Sequence, residues 1–192
     1  MIRDTLYFSK TERLFFTADT HFGHRNIIKY CGRRFSSVEE MNEVMIENWN
    51  SVVGKDDIIF HLGDFAMGDS TEWNRILERL NGNIYLILGN HDLKTIRKGI
   101  NGFKHVAMQM MICYKGQKIY MNHFPFLCYS GADRNTWQLF GHVHTNHIDN
   151  HNDSPRLQML MPTQYDVGVD NNNFTPISFE QIKKVIIKQV PL

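Results

Sequence analysis

Side chains suited to metal or phosphate chemistry stand in five short strings. They are Asp19-Thr20-His21, Gly63-Asp64, Gly89-Asn90-His91-Asp92, Asn122-His123 and Gly141-His142-Val143-His144. Each directly follows an apolar run, and three carry a glycine that lets the backbone turn tightly beside a ligand. A pocket built from all five would offer carboxylate, amide and imidazole donors with no thiolate. Such a donor set suits Mn²⁺, Fe, Zn²⁺ or Mg²⁺ rather than a structural zinc.

Burying these side chains is costly unless a partner compensates them, so the elements that carry them must bring them together. The preceding runs are Leu14-Phe15-Phe16, Ile58-Ile59-Phe60, Ile84 to Leu88, Ile119-Tyr120-Met121 and Leu139-Phe140, and they predict buried strands. In open α/β sheets functional groups gather where strands end in loops, which is where all five strings lie. Between them, Ser37 followed by Glu40 reads as a capping box. It opens a helix with Val38, Met41, Val44 or Met45, and Trp49 at helical spacing. Ser70 to Leu80 repeats the pattern with Trp73, Ile76, Leu77 and Leu80 on one face and Asn81-Gly82 as its stop. A third helix is predicted from Phe179 to Ile187. Strand and helix alternate through residue 98, which predicts α/β topology. Val106 to Tyr114, Lys115-Gly116 and Gln117 to Met121 then read as a β-hairpin.

With 192 residues, 42% of them hydrophobic, the chain reads as a single domain over residues 1–192 with a substantial core. A formal net charge of +1 supplies no long-range attraction to nucleic acid or to an anionic membrane, so extended nucleic acid is not a favoured partner. Cys31, Cys113 and Cys128 are odd in number and lack CxxC spacing, which argues against a disulfide framework and against a thiolate zinc site. The opening MIRDTLYFSKTERLFF lacks the apolar core of a secretory signal, and no run approaches the ~20 apolar residues of a membrane span. A cytoplasmic protein with no membrane partner is expected. Ten histidines are many for this length, and their placement carries the functional reading.

In chain order the five strings resemble the motifs of the calcineurin-like metallophosphoesterases. FTADTHFGHRNIIKYC, HLGDF and YDVGVDNNNFTPISFEQI are similar to a subfamily of small bacterial and phage phosphoesterases. The resemblance spans roughly residues 14 to 180. It implies an α/β sandwich of two mixed β-sheets flanked by helices, with a dinuclear metal site on one edge. It further implies one divalent ion held by Asp19, His21, Asp64 and His144, and a second held by Asp64, Asn90, His123 and His142. Asp64 is shared because a carboxylate offers one oxygen to each ion. Mn²⁺ is the leading candidate, with Fe, Zn²⁺, Ni²⁺ or Mg²⁺ as alternatives. Two such ions about 3.5–4 Å apart acidify a bridging water and clamp the phosphoryl oxygens. The implied reaction is hydrolysis of a phosphomonoester or phosphodiester by attack of the metal-bridging hydroxide. His91 is implied as the group that protonates or stabilises the leaving alkoxide, with Asp92 as its orienting partner. The substrate expected is a small phosphate ester or nucleotide. Alternatives are a nuclease or cyclic-nucleotide phosphodiesterase, and a non-catalytic interaction module on the same fold.

Other residues have a plainer reading beside the functional one. His24, Arg25 and Asn26 either cap a helix after the first ligand loop or present donors to a substrate phosphate at its N-terminus. Arg33 and Arg34 read as a solvated pair, with phosphate contact as the alternative. His61 reads as a core histidine bonded to backbone, His105 as surface, and His147 and His151 as part of an exposed polar loop. Lys94, Arg97, Lys98 and Lys104 read as a solvated face. Trp49, Trp73, Met108, Met110 and Met111 are assigned to the core, and Trp137 to core or pocket wall.

Overall fold

A sheet of parallel strands covered on both faces needs apolar residues at every position, because alternate side chains point to opposite faces. Leu14–Thr17 (β2) and Ile58–His61 (β3) meet that condition except at their last residues, Thr17 and His61, and every residue of both is buried. The computed structural model describes residues 5–97, 99–144 and 157–189. In it β2 pairs in parallel with β3, β3 with Asn83–Ile87 (β4), and β4 with Phe103–Ala107 (β5). Ile177–Ser178 (β10) adds antiparallel to β2, giving a first sheet of order β10-β2-β3-β4-β5.

The second sheet has order β1-β6-β7-β8-β9, formed by Thr5–Tyr7, Gln109–Tyr114, Gln117–Asn122, Trp137–Phe140 and Gln164–Asp166. Its β6-β7 hairpin turns through Lys115 (φ 50°) and Gly116 (φ 82°), the two successive positive φ values that a two-residue turn matching strand twist requires. The predicted hairpin is therefore present but shorter. Val106 and Ala107 end β5 in the first sheet, and the exposed Met108 lies between that strand and the start of β6 in the second. Of the methionines assigned to the core, Met110 is buried and Met108 is not.

Period-two alternation divides each strand of the first sheet between two cores. Leu14, Phe16, Ile58 and Phe60 face the second sheet and meet Ile112, Ile119, Met121 and Leu139. Phe15, Ile59, Ile84 and Leu86 face the helices. There Val38–Val52 (α2) contributes Val38, Met41, Met45 and Trp49, while Ser70–Leu77 (α3) contributes Trp73 and Leu77. Ser37 caps α2 by accepting the Glu40 N–H at 3.1 Å, but the Glu40 carboxylate turns to Ser36 instead of closing the predicted box. The complete capping box belongs to α3, between Asp69 and Glu72. That helix stops three residues before Leu80, which is buried from the loop that follows. Arg25–Tyr30 (α1) and Leu93–Ile96 (α4) are short, and Phe179–Gln189 (α5) packs Phe179, Ile182 and Ile186 between the sheets and β10. Trp137 stacks on Phe179 at 5.4 Å and is core, not pocket wall.

The result is an α/β sandwich of two mixed sheets flanked by helices. No helix among the described residues is long and apolar enough to cross a membrane.

Candidate metal centre

Because β2, β3 and β4 run in parallel, and β7, β8 and β9 include two further parallel pairings, their carboxyl ends share one edge of the sandwich. Backbone hydrogen bonds beyond the strands lock the loops in place. Asp19 N–H donates to Gly63 C=O at 2.9 Å, His21 N–H to Asp64 C=O at 3.0 Å, and Gly141 N–H to His123 C=O at 2.9 Å. Val169 N–H donates to Ala18 C=O at 3.0 Å and ties the first sheet to the segment after β9.

These loops gather the expected residues into two trios. Asp19, His21 and His144 place ligand atoms within 4.8 Å of one another, and so do Asp64, His123 and His142. The Asp64 Oδ2 atom lies between the trios, 3.5 Å from His21 Nε2 and 3.5 Å from His123 Nε2. Asn90 Oδ1 is 3.1 Å from His123 Nε2. Five of these residues, Asp19, His21, Asp64, His142 and His144, have φ between 45° and 72°. That region is disfavoured for residues with a Cβ, and such strain clusters where side chains must be aimed at a ligand. Close approach is enforced from below: a Cβ on Gly63 (φ 95°) would lie 2.6 Å from both Gly89 N and His123 Nδ1, and one on Gly141 would lie 2.5 Å from Asp19 Oδ2.

The donor set fits divalent cations. The Nδ1 of His123 contacts the Leu62 carbonyl at 2.8 Å, so it must donate. The opposite nitrogen then turns a lone pair toward Asn90 Oδ1 and Asp64 Oδ2, both acceptors. Three converging acceptors repel unless a proton or a cation lies among them. The same logic applies to the other trio, where Asp19 Oδ1 and His21 Nε2 are buried without a hydrogen-bond partner among the described residues.

Charge sharpens the point. Burial pushes the Asp19 carboxyl up to about 7, against the pull of His144 and His123. Burial also opposes a charged His144, but Asp19 and Asp170 outweigh it and raise the imidazole to about 11. His123 rises to about 9, where burial is again outweighed, here by the Asp64 hydrogen bond and the Asp19 charge. Asp64 is held well below the usual carboxylate range: desolvation is overcome by its His123 hydrogen bond and the charges of His123 and His21. His21 is held well below the usual imidazole range, because its burial outweighs the pull of the Asp64 charge. Protons thus occupy the places where cations fit.

A profile of the calcineurin-like phosphoesterases matches residues 12–181. The chain belongs to the calcineurin-like phosphoesterase family. An uncharacterized protein of Methanocaldococcus jannaschii is 37% identical over 179 residues, covering 92% of each chain. The gene 66 protein of Mycobacterium phage L5 is 30% identical over 159 residues, 68% of this chain and 76% of its own. The crystal structure of a protein of unknown function from Aquifex aeolicus superposes with a TM-score of 0.68 at 27% identity, over 91% of this chain and 100% of its own. Calcineurin-like phosphoesterases are generally metal-dependent hydrolases that hold two divalent ions, and the two trios are where this member could hold them.

Around the trios of this family member, the structure sorts the remaining expected residues. His91 is partly exposed, with Nε2 3.9 Å from Asp64 Oδ2 and its ring 5.3 Å from that of His21. Its expected partnership with Asp92 is not formed. The buried Asp92 carboxylate instead accepts N–H bonds from Phe65 on one oxygen, at 2.9 Å, and from Asp64 and Gly89 on the other, each at 2.8 Å. Asp92 therefore fastens the second and third ligand loops together, a role its position next to His91 concealed. Of the His24, Arg25 and Asn26 group, only His24 joins the site, with its ring 5.3 Å from His21 and 6.1 Å from His91. Its side chain makes no cap bond to α1, while Arg25 and Asn26 are exposed. His61 is fully buried and bonds to the Thr20 hydroxyl at 2.9 Å rather than to backbone. His105 is exposed as expected; Lys98, His147 and His151 lie outside the described residues.

Arg33 overturns its reading as half of a solvated pair. Its side chain is fully buried, gripping both oxygens of Asp170 at 2.8 Å and donating to the carbonyls of Asp19 at 2.7 Å and Thr20 at 3.1 Å. Asp170 Oδ2 in turn accepts from His144 Nδ1 at 2.6 Å, which leaves the Nε2 atom of His144 for a ligand. Cys31 stands near the same imidazole and carboxylate, but the guanidinium already neutralises that carboxylate. Arg34 alone is exposed. Asp170 had one visible signal, its place in YDVGVDNNNF just after a strand, shared with the buried Asp166. The asparagines of that string bind the loop to itself: Asn171 and Asn172 both donate to the Asp166 carbonyl.

Proposed function

We propose that the protein hydrolyses small phosphate esters or nucleotides with two divalent ions, Mn²⁺ foremost, held by Asp19, His21, Asp64 and His144 and by Asp64, Asn90, His123 and His142. One observation carries this reading. Two trios of lone-pair donors meet at Asp64, a member of the second, whose Oδ2 stands 3.5 Å from His21 of the first and 3.5 Å from His123 of its own, and five of the ligand residues hold a disfavoured positive φ of the kind that clusters at ligand sites. A metal pair supplies polarisation of the phosphoryl group and acidification of water.

The rest falls to this chain's own side chains. His123 and His144 are fixed in one tautomer by Leu62 C=O and Asp170, so each presents Nε2 without rotating. Asp92 holds the Asp64 and Gly89 loops at one separation. In this reading His91, beside Asp64 and open to solvent, gives a proton to the leaving alkoxide and recovers it from water. The His21 and His24 rings line its approach.

The test is direct. Protein stripped of metal and reloaded with Mn²⁺ is assayed against aryl phosphate monoesters, aryl diesters and a nucleotide panel. Metal-dependent release from at least one class is expected; no release from any, with metal bound, rejects the proposal.

A further inference from the structure

Beside the second trio the surface opens into a groove of about 460 Å³, a size typical of small-ligand sites. Its walls include Phe124, Phe126, Leu127, Met159 and Leu160, and one of them is His142 itself. Phe124 packs its ring 4.5 Å from His142 and 4.9 Å from His123, so the groove begins where the ligand set ends. Phe124, Leu127 and Met159 are 41%, 67% and 60% exposed, an apolar surface that folding alone does not account for. Among the described lining residues none is Lys, Arg, Asp or Glu. Among the described walls, only His142 could pair with a second phosphate or a charged sugar, and it belongs to the ligand set.

His91 belongs to the other flank. Its ring contacts are with His21 and His24, whereas those of Phe124 are with His123 and His142. A leaving group that takes a proton from His91 departs on the histidine flank. What rests in the groove is then a second substituent, one that stays on phosphorus.

Resting on the phosphoesterase reading, we infer that the substrate is a phosphodiester whose retained group is an uncharged apolar ring lodged between Phe124, Leu127 and Met159. Water adds to phosphorus, the P–O bond to the leaving alkoxide breaks, and the alkoxide takes a proton. The product monoester keeps its ring in the groove.

The experiment holds the leaving group constant and changes only the retained one. With Mn²⁺-loaded protein, p-nitrophenyl phenylphosphonate is compared with p-nitrophenyl methylphosphonate in turnover, and phenylphosphonate with methylphosphonate in calorimetric binding. Ring burial is expected to favour the phenyl member about tenfold in KM and in Kd, with kcat little changed. The Leu127→Ser/Met159→Ser variant, altered only at exposed positions, is expected to bring both ratios near one while methylphosphonate affinity stays as in the wild type. Equal handling of phenyl and methyl compounds by the wild type, or a preference unmoved by the variant, overturns the inference and leaves the phosphoesterase reading standing. If neither ester is cleaved and neither phosphonate binds, that reading fails and the inference goes with it.

Discussion

Arg33 and Asp170 are joined by two hydrogen bonds of 2.8 Å inside the protein, across 137 positions of sequence. The pair is not an isolated ion bridge. Its guanidinium also holds the Asp19 and Thr20 carbonyls, and its carboxylate orients His144, so one contact sets the backbone of the first ligand loop and the tautomer of the last.

Asp170→Asn keeps an acceptor for His144 but leaves the Arg33 charge uncompensated in the interior. Removing one partner of a buried pair costs about 3–5 kcal/mol. Denaturant unfolding of the metal-free protein is expected to show a loss of that order, with part of it recovered in the Arg33→Met/Asp170→Asn double variant. A loss in the double variant equal to the sum of the two single losses would mean that the two side chains are not energetically coupled.

Asp64 stands between both trios, so Asp64→Asn is expected to weaken both metal positions together and abolish turnover. Metal content after gel filtration should fall toward none rather than halve. Retention of one tightly bound ion would show that Asp64 serves a single position.

His91→Ala, by contrast, removes a side chain that touches the site from its open face. Metal content is expected to match the wild type while kcat falls roughly 10²–10⁴-fold, the span usual for a general acid. The loss should shrink for esters with acidic leaving groups such as p-nitrophenol, which need no proton. Loss of metal instead would reassign His91 to the ligand set.

Metal uptake must displace protons. In the metal-free protein His123 and His144 are pushed up to about 9 and 11, above neutral pH, so both are protonated at pH 7. Binding at pH 7 is then expected to release about two protons from these imidazoles, and affinity should rise with pH, most steeply below about 9 and less steeply from there to about 11. Titration calorimetry in buffers of different ionisation enthalpy measures the count directly. A release near zero would mean that these imidazoles are not ligands.

His61 makes a stability prediction of its own. The Thr20 hydroxyl donates to Phe65 C=O at 2.7 Å, so toward His61 it can only accept; the Nδ1 atom of His61 is buried without a hydrogen-bond partner among the described residues. Burial accordingly holds the imidazole down to about 3 in the fold, against an unfolded value of 6.5. Between those values the unfolded chain binds a proton that the folded chain refuses. The neutral His61 contribution is present above pH 6.5 and is lost as pH falls toward 3, by on the order of 3–5 kcal/mol. In metal-free protein, His61→Gln should flatten the acid limb of the stability profile by a comparable amount.

The ligand strings were legible because each is local: a strand that ends in Asp-x-His or Gly-Asn-His-Asp declares itself within a few residues. The five apolar runs that precede them all became strands, and the helices over Ser37–Trp49 and Phe179–Ile187 formed as their spacing indicates. Helix ends and strand partners were less legible. Ala107 and Gln109 look continuous in sequence, yet they lie in different sheets, because pairing is decided by which partner offers a free edge and not by the strand itself.

The sequence by itself determined the chemistry on offer, since donor type and strand-end position are written in single short strings. Tertiary structure decided which polar groups are compensated and by whom. Arg33 looks like any surface arginine until Asp170 arrives from the far end of the chain, and Asp92 looks like a partner for His91 until three backbone N–H groups claim it. Burial and pairing are properties of what surrounds a side chain, and those surroundings are assembled from residues distant in sequence.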